Sequence, residues 1–148
     1  MKEAVKIIDN YFVRYPGIKN YIENIILKGT NKQYVSTILG RKRNTINLRS
    51  SNRNMVEAEK RAAINMPIQG SASELIKIAM NSIFNKIVKN KLAAKMILQV
   101  HDELLFEVPR NNVKSLIELV VYEMENAIKF NVPIKVDYNY GKNWYEAH

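Results

Sequence analysis

The sequence has 148 residues, 47% of them hydrophobic, which is enough for a buried core and too much for a globally disordered chain. It carries 23 Lys and Arg against 14 Asp and Glu, a formal net charge of +9 that favours a polyanionic partner. No apolar run approaches the roughly 20 residues of a membrane-spanning helix, the stretch Met1 to Lys6 has no signal-peptide core, and the absence of Cys excludes disulfides and thiolate metal sites. An intracellular protein is expected.

Val5, Ile8, Phe12 and Val13 recur at helical spacing and predict a helix from Lys2 to Arg14, stopped by Pro16-Gly17. Ile18, Tyr21, Ile22, Ile25 and Ile26 form the apolar face of a second helix, ended by Gly29. Val35 to Leu39 reads as a short strand. The basic, Asn/Ser-rich stretch from Gly40 to Arg53 has no period and reads as a loop. Asn54, with Glu57 at capping-box spacing, is expected to cap a third helix. Pro67 lacks an N–H and disfavours helical geometry before it, so that helix is expected to stop near Met66.

Ser71-Ala72-Ser73-Glu74 repeats the capping-box pattern and opens a longer helix, with Ala72, Leu75, Ile76, Ala79, Ile83, Phe84 and Ile87 turned inward. Leu98 to Val108 reads as a hairpin: two apolar, β-prone segments around His101, Asp102 and Glu103. Asn111 or Asn112 then caps a helix burying Val113, Leu116, Ile117, Val120, Met124 and Ile128. Ile134 to Tyr138 is expected to be a last strand, followed by a tail at Gly141-Lys142-Asn143-Trp144. Tyr34, Tyr138 and Trp144 read as packing residues. Elements in this order predict an α+β fold, a small antiparallel sheet with a β-hairpin backed by long α-helices.

Three groups of residues carry possible chemistry. Carboxylates at a hairpin tip are solvated and held by two rigid strands, which suits Asp102 to a hard divalent ion such as Mg²⁺. Adjacent strand residues point to opposite faces, so Asp102 and Glu103 do not grip one ion symmetrically, and a two-metal site needs a further carboxylate from elsewhere. The competing reading of Asp102 is an ordinary polar turn. Arg61 and Asn65 lie one helical turn apart, and Gln69 sits at the expected helix break beside Gly70. Arg, Asn and Gln on one line suit the minor groove, whose purine N3 and pyrimidine O2 acceptors recur in every base pair. The competing reading is a solvated helix face. Arg41, Lys42, Arg43, Arg49, Arg53, Lys60 and Arg61 crowd before the hairpin with only Glu57 and Glu59 as local acids. That asymmetry fits phosphate contact or a solvated basic turn.

Gln99-Val100-His101-Asp102-Glu103 between apolar strands resembles the C-motif of family A DNA polymerases. Glu59-Lys60-Arg61-Ala62-Ala63-Ile64-Asn65-Met66-Pro67-Ile68-Gln69-Gly70-Ser71-Ala72 is similar to that family's palm segment just upstream, and Tyr34 to Arg43 and the ending Gly141 to His148 also match in collinear order. The resemblance implies DNA-directed DNA polymerase chemistry: nucleotidyl transfer to a primer 3′-hydroxyl, with two Mg²⁺ ions in the complete enzyme. It implies Asp102 as catalytic metal-binding aspartate and Glu103 as a supporting catalytic carboxylate. Arg61, Asn65, Gln69 and His101 become minor-groove contacts near the primer end, and Arg41 and Arg43 lie near the DNA backbone. The implied partners are primer–template DNA and deoxynucleoside triphosphates, with no membrane, and the implied place is the bacterial cytoplasm and nucleoid, in replication and repair.

The family's A-motif, a run like Asp-Tyr-Ser-Gln-Ile-Glu with the second catalytic aspartate, does not occur in this sequence, nor does its nucleotide-gripping fingers helix. The chain is therefore expected to be a C-terminal fragment: residues 1–53 the end of the fingers and a basic connecting loop, residues 54–148 the C-terminal half of the palm. No thumb, proofreading or 5′-nuclease segment is recognised. The fragment alone is expected to be inactive without the missing polymerase half. Two other readings stand beside this one: a non-catalytic duplex-DNA-binding module, and an interaction remnant with an open sheet edge.

Overall fold

The computed structural model of the protein describes residues 2–147. Two compact units divide between Ser71 and Ala72. The architecture of the described residues is mixed, with long helices and two separate two-stranded antiparallel sheets, as the α+β expectation requires. Among the described residues no helix is long and apolar enough to cross a membrane.

In the first unit, α1 (Lys2–Arg14) and α2 (Pro16–Lys32) flank Tyr15. Pro16 sits in the first turn of α2, where its missing N–H costs nothing. Gly29 does not end α2. The helix runs on to Lys32 and closes at Gln33, which takes a left-handed φ of 59°. Gly29 is instead buried against the following segment, where an added Cβ would meet Leu48 Cδ1 at 2.9 Å and Thr45 Oγ1 at 3.3 Å.

The expected strand is shorter, β1 (Tyr34–Ser36), and the expected basic loop is not a loop throughout. It contains β2 (Lys42–Asn44), paired antiparallel with β1 from Tyr34↔Asn44 to Ser36↔Lys42, and a 3-10 turn at Ile46–Arg49. Local composition hides β2 because its stability comes from pairing and from side-chain anchors. Thr45 donates its hydroxyl to the Gly29 carbonyl at 2.9 Å, and Arg49 Nε donates to the Thr30 carbonyl at 2.9 Å, tying the segment to the end of α2. Lys42 Nζ lies 4.5 Å from the Tyr34 ring centroid, so Tyr34 packs as expected.

The largest departure is α3, one helix from Arg53 to Lys89 with Pro67 inside it. The expected break at Met66 does not occur. Asn52, not Asn54, caps its start: Asn52 Oδ1 accepts the N–H groups of Asn54 at 3.0 Å and Met55 at 3.5 Å. Pro67 removes one helical hydrogen bond, but tertiary packing holds the axis together. Ser71 is buried rather than a cap. Its hydroxyl donates to the Pro67 carbonyl and accepts the Ile38 N–H at 3.0 Å.

In the second unit, Leu75, Ile76, Ala79, Ile83 and Ile87 of α3 pack with Leu116 and Met124 of α4 (Val113–Glu125), each large side chain contributing about 1.5–3 kcal/mol by leaving water. Phe84 is 61% exposed and Ala72 is exposed, against expectation: both lie off the buried stripe. Asn112 occupies the N-cap position of α4, but no side-chain cap hydrogen bond forms there. The helix ends before Ile128, which packs against the core from the following segment.

The expected strand from Ile134 to Tyr138 is absent. No strand pairs with it among the described residues; Ile134 and Val136 pack on the core, and the Val136 N–H donates to Glu125 Oε1 at 3.1 Å. Tyr138 is largely exposed and Trp144 about half exposed, rather than buried. The tail holds a short helix α5 (Trp144–Ala147), capped by Asn143 through the Glu146 N–H at 3.0 Å. His148, the last residue of the matching ending, lies outside the described residues.

Candidate functional site

The expected hairpin forms, with its first strand starting three residues earlier, at Lys95, and its second ending at Glu107. β3 (Lys95–Val100) pairs with β4 (Glu103–Glu107), and the last pair, Val100↔Glu103, leaves His101 and Asp102 as a two-residue turn. Such turns join right-twisted strands best when a central residue has positive φ. His101 takes that conformation at 52°, a sparsely populated region for a side chain with a Cβ. The Gln99 side-chain amide donates to the His101 carbonyl at 2.9 Å and holds the turn. His101, Asp102 and Glu103 are all exposed. A bulge between Met96 and Leu98 leaves Ile97 without a partner, a local bend of the kind that re-aims a hairpin. Nothing in the sequence marked that bulge, because Met, Ile and Leu are all compatible with an unbroken strand.

Helix α3 carries the second group. Because it continues through Pro67, Arg61, Asn65 and Gln69 stand at i, i+4 and i+8, exposed on one face. Gln69 is therefore a full member of the row rather than a junction residue. Asn65 and Gln69 line a groove with Ala62, Met66, Gly70 and Arg43 of β2. Arg43 reaches the groove from a segment expected to be a loop, so its partners were not readable in advance. Arg43 Nη1 is ion-paired to the buried carboxylate of Glu59.

The site is braced from behind. The Tyr21 hydroxyl donates to the Ile64 carbonyl at 3.0 Å, and burial pushes its pKa above the usual tyrosine value. Gly70 admits the β1–β2 turn closely: an added Cβ would lie 2.6 Å from Thr37 Cγ2. Thr37 Oγ1 accepts the Arg41 N–H at 3.0 Å, which fixes the backbone at Arg41. The two local acids are both engaged. Glu57 bonds Lys60 at 2.8 Å, and that hydrogen bond and charge hold its carboxyl below the usual range. Arg49 is occupied at the end of α2.

A sequence model of DNA polymerase family A matches residues 1–146. The chain belongs to DNA polymerase family A. Within family A it is 43% identical over 146 residues to DNA polymerase I of Geobacillus stearothermophilus and 44% identical to that of Bacillus caldotenax, covering 99% of this chain and 17% of each relative. It thus spans about a sixth of the length of these curated relatives. The family A fold is matched by the POL domain of Pol1 from M. smegmatis, solved in complex with DNA primer-template and dNTP, at a TM-score of 0.95 and 42% identity, over 99% of this chain and 26% of that one.

Proposed function

We propose that the chain is the C-terminal part of a bacterial DNA-directed DNA polymerase, acting in replication and repair at the nucleoid. Residues 1–53 are assigned to the end of the fingers and its basic connection, and residues 54–148 to the C-terminal half of the palm. One observation carries the reading: in a family A chain, Asp102 stands exposed at the tip of a two-residue turn between paired strands.

Among the described residues no three of His, Cys, Asp and Glu come together to hold a metal. Mg²⁺ is commonly held by one or two carboxylates, with waters and substrate phosphates completing the shell. Asp102 is the proposed ligand, Glu103 its supporting carboxylate, and a further carboxylate has to come from outside these residues. Two bound ions in the complete centre would stabilise charge on the attacking and leaving oxygens.

The reaction is attack of a primer 3′-oxygen on the α-phosphorus of a deoxynucleoside triphosphate. The 3′-hydroxyl gives up its proton to solvent, a new P–O bond forms, the bond from the α-phosphorus to the α,β-bridging oxygen breaks, and pyrophosphate leaves with the electron pair. This chain's residues contribute position. Arg61, Asn65, Gln69 and His101 present hydrogen-bonding groups to acceptors common to all base pairs, testing pairing shape without reading sequence. Arg41 and Arg43 lie by the duplex backbone. Holding the primer end in line contributes more than any covalent step.

The test has two parts. Alone, the chain binds duplex DNA with affinity that falls steeply with salt but gives no Mg²⁺-dependent primer extension; salt-independent affinity or robust extension by the chain alone overturns the reading. Supplied with a polymerase part bearing the A-motif, extension appears, and Asp102→Ala abolishes it without loss of helical circular dichroism. A non-catalytic duplex-binding module predicts binding but no extension in that complemented assay.

A further inference from the structure

Glu59 is a buried carboxylate that the proposed chemistry does not use. It sits on α3, two residues before Arg61, on a different side of the helix from the exposed row. Its Oε1 holds Arg43 Nη1, and Arg43 in turn lines the groove with Asn65, Gln69 and Gly70. A guanidinium has five N–H donors in a fixed fork, and this ion pair engages one nitrogen.

We infer that Glu59 is a positioning residue for Arg43: it fixes the guanidinium at the wall of the groove and cancels its charge, so that Arg43 meets duplex DNA as a hydrogen-bond donor rather than as a phosphate clamp. The inference rests on the duplex-binding reading and refines the place of Arg43 within it. The physical reason is the asymmetry between the two possible partners. A backbone phosphate would offer Arg43 a solvated, salt-screened contact. Leaving Glu59 for it would strand a buried carboxylate without its partner, which is the more costly outcome. Arg43 therefore stays on Glu59 when DNA binds. The pair adds no net positive charge to the interface, and counterion release comes from other residues.

Salt dependence reads this directly. Each phosphate neutralised contributes about 0.9 to the slope of log affinity against log salt on duplex DNA. In the 148-residue chain, Glu59→Gln unmasks the Arg43 charge, and the slope is expected to steepen by about one unit. The double variant Arg43→Met with Glu59→Met replaces the pair by apolar side chains without changing net charge, a swap that preserves folding even where Glu59→Gln alone does not. Its slope is expected to equal that of the unchanged chain, with affinity about fivefold weaker through loss of the donor. A merely structural pair moves neither readout. An unchanged slope in a folded Glu59→Gln variant, or full affinity in the double variant, overturns the inference and leaves duplex binding standing. An unchanged chain that does not bind duplex DNA at any salt overturns both.

Discussion

The Tyr21 hydroxyl donates to the carbonyl of Ile64 at 3.0 Å, three residues before Pro67. A proline inside a helix withholds the N–H that the carbonyl four residues earlier, here that of Ala63, would accept, and it crowds the turn before it. Tyr21, reaching from α2, gives the neighbouring Ile64 carbonyl a donor from outside the helix, beside Asn65. Tyr21→Phe keeps the ring and removes only the donor, so it is expected to cost about 1 kcal/mol, lowering Tm by about 2–4 °C. The change should also loosen the turn that carries Asn65. Thermal unfolding by circular dichroism measures the first effect, and amide exchange at Ile64, Asn65, Met66, Ile68 and Gln69 measures the second. An unchanged Tm with unchanged exchange would show that water serves the Ile64 carbonyl equally well.

Gly70 stands where α3 packs against the β1–β2 turn. Gly70→Ala has two opposed effects. Helix propensity improves by about 1 kcal/mol, but the new Cβ meets Thr37 Cγ2 at 2.6 Å. Thr37 is buried and β-branched, and its backbone and hydroxyl both bond Arg41, so it has no easy way to turn aside. Overpacking of this kind costs about 1–3 kcal/mol, and its upper end applies here. The net expectation is destabilisation by about 1–2 kcal/mol, with duplex affinity reduced because the turn bearing Arg41 moves outward. A variant more stable than the unchanged chain would mean that the turn yields freely.

Pro67 also explains why part of the fold was hidden in the sequence. A local rule ends a helix before proline, and it does so correctly for a helix without support. The longer pattern points the other way: Glu59, Ala63, Ser71, Leu75, Ala79, Ile83 and Ile87 are all buried at steps of four, with Pro67 half-buried in the same register. That stripe crosses the proline without a change of phase. The hairpin tip was legible because its strands, turn and charges all lie in one short run, Lys95 to Glu107. β2 was not, because Lys42, Arg43 and Asn44 have little preference for a strand and are held by Tyr34, Thr45 and Glu59, which no local pattern connects. The strand expected at Ile134 to Tyr138 shows the converse: alternation marks a surface that packs on one side, but a strand also needs a paired edge.

His101 combines a proposed duplex contact with an unfavourable backbone. A left-handed residue with a Cβ costs roughly 1–2 kcal/mol, part of which glycine recovers before its own entropy cost is counted. His101→Gly is expected to leave the hairpin as stable or about 0.5 kcal/mol more stable, while weakening duplex binding through loss of the imidazole. His101→Val, β-branched at φ 52°, is expected to destabilise it by about 1–2 kcal/mol. Chemical denaturation of the three chains ranks them Gly, His, Val. The reverse order would mean that the turn relaxes to another type when the side chain changes.

Glu123 gives the fold a defined acid sensitivity. It is buried in α4, where it accepts hydrogen bonds from Ser82 and Lys86 of α3. Burial alone raises its pKa, but the two hydrogen bonds and the Lys86 charge together outweigh that and hold the carboxyl below its usual value of 4.5. A depressed folded-state pKa means that the unfolded chain binds the proton more readily. The stabilisation is therefore present above about pH 4.5 and is lost as pH falls through the lower, folded-state value. Glu123→Gln removes the charge but keeps the shape. It is expected to lower stability by about 1–2 kcal/mol near neutrality and to lose less stability with acid, so that the two denaturation curves converge as pH falls through the folded-state value. Urea midpoints measured from about pH 3 to pH 7 test this. A gap between the two chains that stays constant across that range would show that the Ser82 and Lys86 contacts depend on the side chain's shape and not on its charge.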